Sequence, residues 1–246
     1  MLAAVTFDVW ETLITDPPAL SQARSALRIR QMVEALAETG HPVAESDLSL
    51  AYERSWEVYE RFWNRNEDIS TAEQLEILLG LVDSSLMASL DTAVLERVTA
   101  AYVDPLFEFP PAMKDGLPDV LRELKQRGCK VGLICNTGRT PGWAVRRLLS
   151  TYGLLNFFDA TAFSNEERIR KPVAPIFQRV LAALNVPAQR AVHVGDNIVT
   201  DVAGAKGVGM RAVFIGDAVP DGASVDPDVH ITTLAELIPA LLAAEL

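Results

Sequence analysis

Hydrophobic residues recur along this chain with two different periods. Ala3-Ala4-Val5-Thr6-Phe7 is an apolar run of strand length that stops at Asp8. From residue 19 to 104 no convincing strand pattern occurs, and apolar positions recur at helical spacing. Residues 20–38 place Leu27, Met32, Ala35 and Leu36 on one face, and residues 47–65 carry Tyr52, Trp56, Tyr59 and Trp63 in one stripe. Residues 71–79 and 92–103 predict two further helices, the last with Asp91 or Thr92 as its N-cap. An aromatic stripe at this spacing is expected to form helix–helix core rather than a ligand box.

After Glu108-Phe109-Pro110-Pro111 the pattern alternates between helix and strand. Helices are predicted over residues 117–127 (closed by Gly128 at C′), after Thr140-Pro141, over 174–184, from near Thr200, and over 234–242. Strands are predicted at 130–135, 160–163, 191–195, 211–215 and 229–231. Such alternation implies right-handed βαβ units around a parallel sheet. The predicted fold is α/β: a Rossmann-like parallel-sheet core from residues 1–15 and 109–246. An α-helical insertion, residues 16–108, forms a separate layer over the sheet's open edge. Prolines at both junctions, Pro17-Pro18 and Pro110-Pro111, mark expected hinges.

Parallel sheets bind ligands at the carboxyl ends of their strands, and the unusual polar residues of this chain fall there. The first strand ends in Asp8, the second in Cys135-Asn136-Thr137-Gly138, and the fourth in Gly195-Asp196 with Asp201 five residues on. Lys171-Pro172 lies in the loop after the third. Carboxylates on neighbouring strand ends repel one another unless a cation lies between them. Oxygen ligands suit a hard ion, and Mg²⁺ is the expected one. A lysine converging on the same place completes a site for an anionic group.

Composition narrows the partners. With 246 residues, 49% of them hydrophobic, the chain can bury a sizeable core. Lys and Arg total 22 against 33 for Asp and Glu, a formal charge of −11, which argues against nucleic-acid or acidic-membrane binding. A small-molecule substrate is expected, and an anionic one needs local positive charge from a metal or a placed lysine. Cys129 and Cys135 show neither a disulfide framework nor a CxxC metal spacing. No signal peptide is read at the N-terminus, and no apolar run approaches the roughly 18 residues of a membrane span. A cytoplasmic protein, monomer or homodimer, is the expectation. His41, His193 and His230 have little claim to catalysis; His193, in a strand, is expected to be a satisfied core residue.

The ordered set of Asp8, Cys135-Asn136-Thr137, Lys171-Pro172 and Gly195-Asp196…Asp201 resembles the four motifs of the haloacid dehalogenase-like hydrolase superfamily. The resemblance covers the whole chain, with the helical insertion as a cap domain between the first and second motifs. It implies that Asp8 attacks the electrophile and forms an aspartyl intermediate. Asp8 and Asp196 would ligate Mg²⁺ together with the backbone carbonyl of Trp10. Asp201 would hold metal-bound water or the position of Lys171, which neutralises charge. Asn136, Thr137, Cys135 and nearby amides would meet the group's oxygens.

Two residues depart from the family's phosphatases. Trp10 stands where most carry a second Asp that protonates the leaving oxygen, and the family's dehalogenases carry an aromatic there. Cys135 stands where Ser or Thr is usual, and a thiol is a weak donor. Against dehalogenation, Gly195-Asp196 and Asp201 are intact, whereas the dehalogenases replace them. The resemblance therefore implies a Mg²⁺-dependent phosphatase acting on a small phosphorylated metabolite. The alternatives are a 2-haloacid dehalogenase-type hydrolase and a weakly active or non-catalytic binding protein of the same fold. Glu11, or Glu57 or Glu60 of the cap, could replace the acid. Arg24, Arg28, Arg61 and Trp63 are expected to be helix-surface or packing residues.

Overall fold

A computed structural model describes residues 2–245. Six parallel strands form one sheet in the order β5-β4-β1-β6-β7-β8. They are β1 (Ala4–Phe7), β4 (Lys130–Cys135), β5 (Ala160–Phe163), β6 (Ala191–Gly195), β7 (Arg211–Ile215) and β8 (Val229–Ile231). Every residue of β1 is buried, as befits a central strand covered on both faces. Its side chains alternate: Val5 and Phe7 join one core cluster, and Ala4 joins the other across the sheet. From β1 the chain builds outward through β4 and β5, then returns to build β6, β7 and β8 on the other side. The strand order therefore reverses around β1, where a parallel sheet opens a crevice for ligands.

The predicted strands appear within a residue of their expected bounds. The sequence pattern missed β2 (Ile14–Thr15) and β3 (Ala112–Met113), which pair antiparallel, Ile14 with Met113 and Thr15 with Ala112. The segments that lead into and out of the insertion thus run side by side, on the core side of the two proline pairs.

Between them lie α1 (Pro18–Glu38), α2 (Glu45–Trp63), α3 (Thr71–Val82), the single turn α4 (Leu86–Ser89), α5 (Thr92–Val103) and the single turn α6 (Pro105–Glu108). Asp91 caps α5, accepting from Val94 N at 2.9 Å. The buried stripe of α1 is Arg24, Arg28, Met32, Ala35 and Leu36, so Arg28 rather than Leu27 occupies the inward position. The insertion meets the core at loops leaving the carboxyl ends of β4 and β5. Gln74 Nε2 donates to Gly138 O at 2.9 Å, and Glu73 pairs with Arg168.

The core helices are α7 (Leu117–Gln126), α8 (Gly142–Thr151), the single turn α9 (Ser164–Glu167), α10 (Ala174–Leu184), the short α11 (Gly204–Gly207) and α12 (Leu237–Ala243). α7 buries Leu117, Val120, Leu121 and Leu124 and ends at Gly128 with φ 76°, the left-handed C′ expected of it. α8 starts one residue later than an N-cap at Thr140 implies. Pro141 holds the N-cap position without a side-chain bond, and Asn165 Oδ1 satisfies Gly142 N at 3.1 Å instead. No helix of the described residues is long and apolar enough to cross a membrane.

Candidate active site

Register brings the first group together. Thr6 lies directly beside His193 on the neighbouring strand, both facing α10, where Phe177 meets the imidazole edge-on at 5.3 Å between centroids. A polar pair inside a sheet must find partners. Thr6 Oγ1 and His193 Nδ1 are 2.8 Å apart, and His193 Nε2 lies 3.3 Å from Asp201 Oδ1. Lys171 Nζ bridges Asp201 Oδ1 and Asp8 Oδ1, each at 2.6 Å. A buried chain of contacts therefore runs from Thr6 through His193, Asp201 and Lys171 to Asp8. His193 is a core residue as expected, but it also orients a carboxylate of the site.

The electrostatics follow from burial and pairing. Burial raises Asp8 to about 7, with Asp201 and Asp196 adding to the rise and Lys171 opposing it. Burial also raises Asp201, but Lys171 and His193 outweigh it and leave the group at about 2. Burial alone would lower Lys171, yet its two carboxylates hold it above the ordinary lysine value. His193 is lowered by burial, with Lys171 adding to the fall and Asp201 opposing it. Asp196 is pushed up to about 6 by desolvation and by Asp201.

Asp8, Asp196 and Asp201 each offer an oxygen within 4.8 Å of the others. An all-carboxylate donor set under mutual repulsion, with Asp196 only partly buried, fits a hard divalent cation. Asp201 has less to give than the other two: Oδ2 accepts from Asn197 N at 3.0 Å, and Oδ1 is shared by Lys171 and His193. Gly195 explains how it fits. A Cβ there would lie 2.3 Å from Asp201 Cγ, so only glycine lets the carboxylate lie against the strand end. Asp201 sits in a wide turn, Ile198–Ala203, whose start is capped by Asn197 Oδ1 accepting from Val199 N and Thr200 N, both at 2.9 Å.

The loop after β4 serves different ends from those the motif suggested. Asn136 clamps the main chain of Lys171 from both sides: Nδ2 donates to Lys171 O at 3.0 Å, and Oδ1 accepts from Lys171 N at 2.8 Å. The Lys171-Pro172 peptide is cis. Thr137 is wholly buried, its hydroxyl spent on Ser164 at 3.2 Å and Asn165 at 3.2 Å, within reach of Asp68. Cys135 is buried too, and burial raises its thiol well above the ordinary value. Of the residues expected to touch substrate, Trp10 and Asn136 line the cleft, while Thr137 and Cys135 stand behind it.

That cleft, about 760 Å³, opens between the insertion and the strand ends. Its wall includes residues that the sequence assigned to helix surface or packing. Ser21, Arg24, Ser25 and Arg28 line it at one-face spacing on α1, and Arg24 and Arg28 are buried there rather than spread over a helix surface. Arg139 and Arg170 approach from the core. Tyr52, Trp56 and Trp63 also face it, so the aromatic stripe is in part cleft wall, while Tyr52 and Tyr59 are buried in the core. Glu60 lines the cleft and accepts from Trp56 Nε1 at 2.9 Å. Glu57 does not line it, and Glu11 holds its own turn by accepting from Asp16 N at 2.9 Å.

Asp68, between α2 and α3, was also missed. It is buried against the core, paired with Arg170 at 2.7 Å and accepting from Ser164 Oγ and Trp63 Nε1. The signal available was weak: an arginine on a helical stripe, and one aspartate in a turn.

Glyceraldehyde 3-phosphate phosphatase of Methanopyrus kandleri is 29% identical over 245 residues, 97% of this chain and 96% of that one. A HAD phosphatase from Thermococcus onnurineus superposes with a TM-score of 0.65 at 25% identity, covering 97% of both chains. A 2-haloacid dehalogenase from Pseudomonas syringae gives a TM-score of 0.74 at 23% identity over 100% of both, a likeness of fold alone. The model of one family, haloacid dehalogenase-like hydrolase, matches residues 2–209, which takes in all four strand-end motifs and the insertion. The chain belongs to the haloacid dehalogenase-like hydrolases.

Proposed function

We propose that this hydrolase is a Mg²⁺-dependent phosphatase that acts on a small phosphorylated metabolite through Asp8. One observation carries this: three carboxylates with oxygens within 4.8 Å of one another, beside a lysine that two of them bind. Asp8 and Asp196, with the main-chain carbonyl of Trp10, would hold the ion, whose charge would offset that of the carboxylates and of the transferring group. Asp8 attacks phosphorus as the ester P–O bond breaks, giving an aspartyl phosphate and an alkoxide or phenoxide that takes its proton from water. Water then attacks the acyl phosphate, releasing phosphate and restoring Asp8. Lys171 neutralises charge at Asp8, and Asp201 and Asn136 fix its ammonium and its main chain. Residues 16–108 act as a cap domain that shelters these steps from water.

A second reading rests on Trp10, which lines the cleft where a proton donor would be needed. It makes the protein a 2-haloacid dehalogenase-type hydrolase, since halide leaves without a proton. A screen of aryl, alkyl and acyl phosphates and 2-haloacids, each with and without Mg²⁺, separates the two. Phosphate release that needs Mg²⁺ and is lost in Asp196→Asn is the expected result; metal-independent halide release would falsify the phosphatase assignment. Turnover of none of them, with Mg²⁺ still bound, would leave a binding protein of the same fold. The working setting we infer is the cytoplasm, with no nucleic-acid or membrane partner, as monomer or homodimer.

A further inference from the structure

Four arginines line the cleft, and their pairing differs. Arg24 is bound to Asp16, and Arg170 to Asp68. Arg28 and Arg139 have no carboxylate partner among the described residues. Arg28 Nε donates to Tyr102 O and Nη1 to Tyr52 OH, and the guanidinium lies 5.1 Å from the centre of the Tyr102 ring. Arg139 donates to Ser55 Oγ at 3.1 Å, to Tyr102 OH at 3.3 Å and to Tyr52 O at 2.6 Å, with its guanidinium 3.8 Å over the Tyr52 ring. Both side chains are more than nine-tenths buried.

Two buried cations converging on one tyrosine are costly unless an anion completes them. Their neighbours are neutral hydroxyls, carbonyls and ring faces, which orient a guanidinium without cancelling its charge. Each guanidinium also keeps N–H groups to spare: Arg28 uses two of its five and Arg139 three. The remaining carboxylates of the cleft wall, Glu53 and Glu60, are on its exposed rim. The field of the pair also shows at Tyr52, where burial pushes the phenol up but Arg28 and Arg139 more than reverse it.

We propose that Arg28, Arg139 and Tyr52 form a second anion subsite, so that the substrate is a phosphate monoester carrying another anionic group, a carboxylate or a second phosphate. The proposal rests on the phosphatase reading for the first group and adds the chemistry of the second. Arg28 comes from the insertion and Arg139 from the loop after β4, so such a substrate also ties cap to core. A guanidinium fork suits either oxyanion.

The test compares substrates of like leaving group and unlike charge: 4-carboxyphenyl phosphate, 4-carbamoylphenyl phosphate and 1,4-phenylene bisphosphate. For the wild type with Mg²⁺, kcat/KM should favour the anionic members over the neutral one by about ten- to a hundredfold, the scale of a charge-assisted hydrogen bond. Which of the two anionic compounds leads identifies carboxylate or phosphate. In Arg28→Met that ratio should fall toward one, and Arg28→Lys, which keeps the charge but not the fork, should lie between. A ratio near one in the wild type overturns the subsite and leaves the phosphatase reading standing. Calorimetry with 4-carboxybenzylphosphonate against benzylphosphonate reads the subsite without turnover. Tighter binding of the carboxy compound with no hydrolysis of any phosphate keeps the subsite and removes the phosphatase reading. Equal binding of the two phosphonates removes the subsite.

Discussion

Gly195 shows how one absent methyl group shapes the site. The Asp201 carboxylate occupies the space where a Cβ would be, 2.3 Å from it at Cγ, and that carboxylate anchors Lys171 and His193. Gly195→Ala should force Asp201 outward and loosen Lys171 from Asp8. We expect a loss of about 1–3 kcal/mol of stability from overpacking and a fall in kcat of about a hundredfold from the displaced lysine. Thermal unfolding and steady-state kinetics on an aryl phosphate check both; unchanged kcat would mean Lys171 does not depend on Asp201. Trp10 poses the complementary question, because an indole cannot protonate an alkoxide. Trp10→Asp should raise activity on alkyl phosphates more than on aryl phosphates, since general acid catalysis, typically worth ~10²–10⁴-fold, matters most for poor leaving groups. Equal gains, or none, would show that the family's acid position is not what limits this enzyme. Asp8→Asn should abolish both activities.

At the scale of elements, the sequence was legible where burial imposes a period. The core strands lie buried on both faces of a parallel sheet, so each reads as an unbroken apolar run, and its end locates a polar group at the crevice. Asp8, Asp196, Asp201 and Lys171 were found that way. The β2–β3 pair was not, because two residues carry no periodicity, nor were the single-turn helices α4 and α6. Docking of the insertion was equally hidden, since nothing local marks which turn residue will meet the core. One such contact makes a pH prediction. The Arg168 guanidinium holds Glu73 of α3 at about 2, below its ordinary 4.5, with the Ser70 cap helping. A lowered folded-state value adds stability above pH 4.5 that is lost as pH falls toward 2. Because both side chains are more than a third exposed, screening keeps the effect within about 1 kcal/mol. Glu73→Gln preserves the capping geometry but not the charge. It should flatten the slope of stability between pH 4.5 and 2 in urea titrations; an unchanged slope would assign the acid sensitivity to other carboxylates.

For the whole molecule, the joints between the helical insertion and the sheet core decide whether the insertion works as the proposed cap. The chain crosses between them twice, side by side at β2 and β3, and Arg24 holds both crossings by binding Asp16 on one and Phe109 O on the other. On the far side of the cleft the link is made of side chains, centred on Asp68. Its Oδ2 meets Arg170 Nη1 at 2.7 Å and Ser164 Oγ, while Oδ1 accepts from Trp63 Nε1 at 3.0 Å and Ile69 N at 2.8 Å. Arg170 adjoins Lys171 in sequence, so this link pulls on the loop that carries the ammonium of the site. Breaking a buried pair by removing one charge costs about 3–5 kcal/mol, because the other is left uncompensated. Asp68→Asn retains the shape and most of the acceptors but strands the Arg170 guanidinium. We expect it to lower stability on that scale and to uncouple the two parts. Amide exchange should then quicken in α2 and α3 while β1, β4 and β6 stay protected, and KM should rise more than kcat falls. Uniform quickening across sheet and insertion alike would mean that cap and core unfold as one unit, with Asp68 only one contact among many.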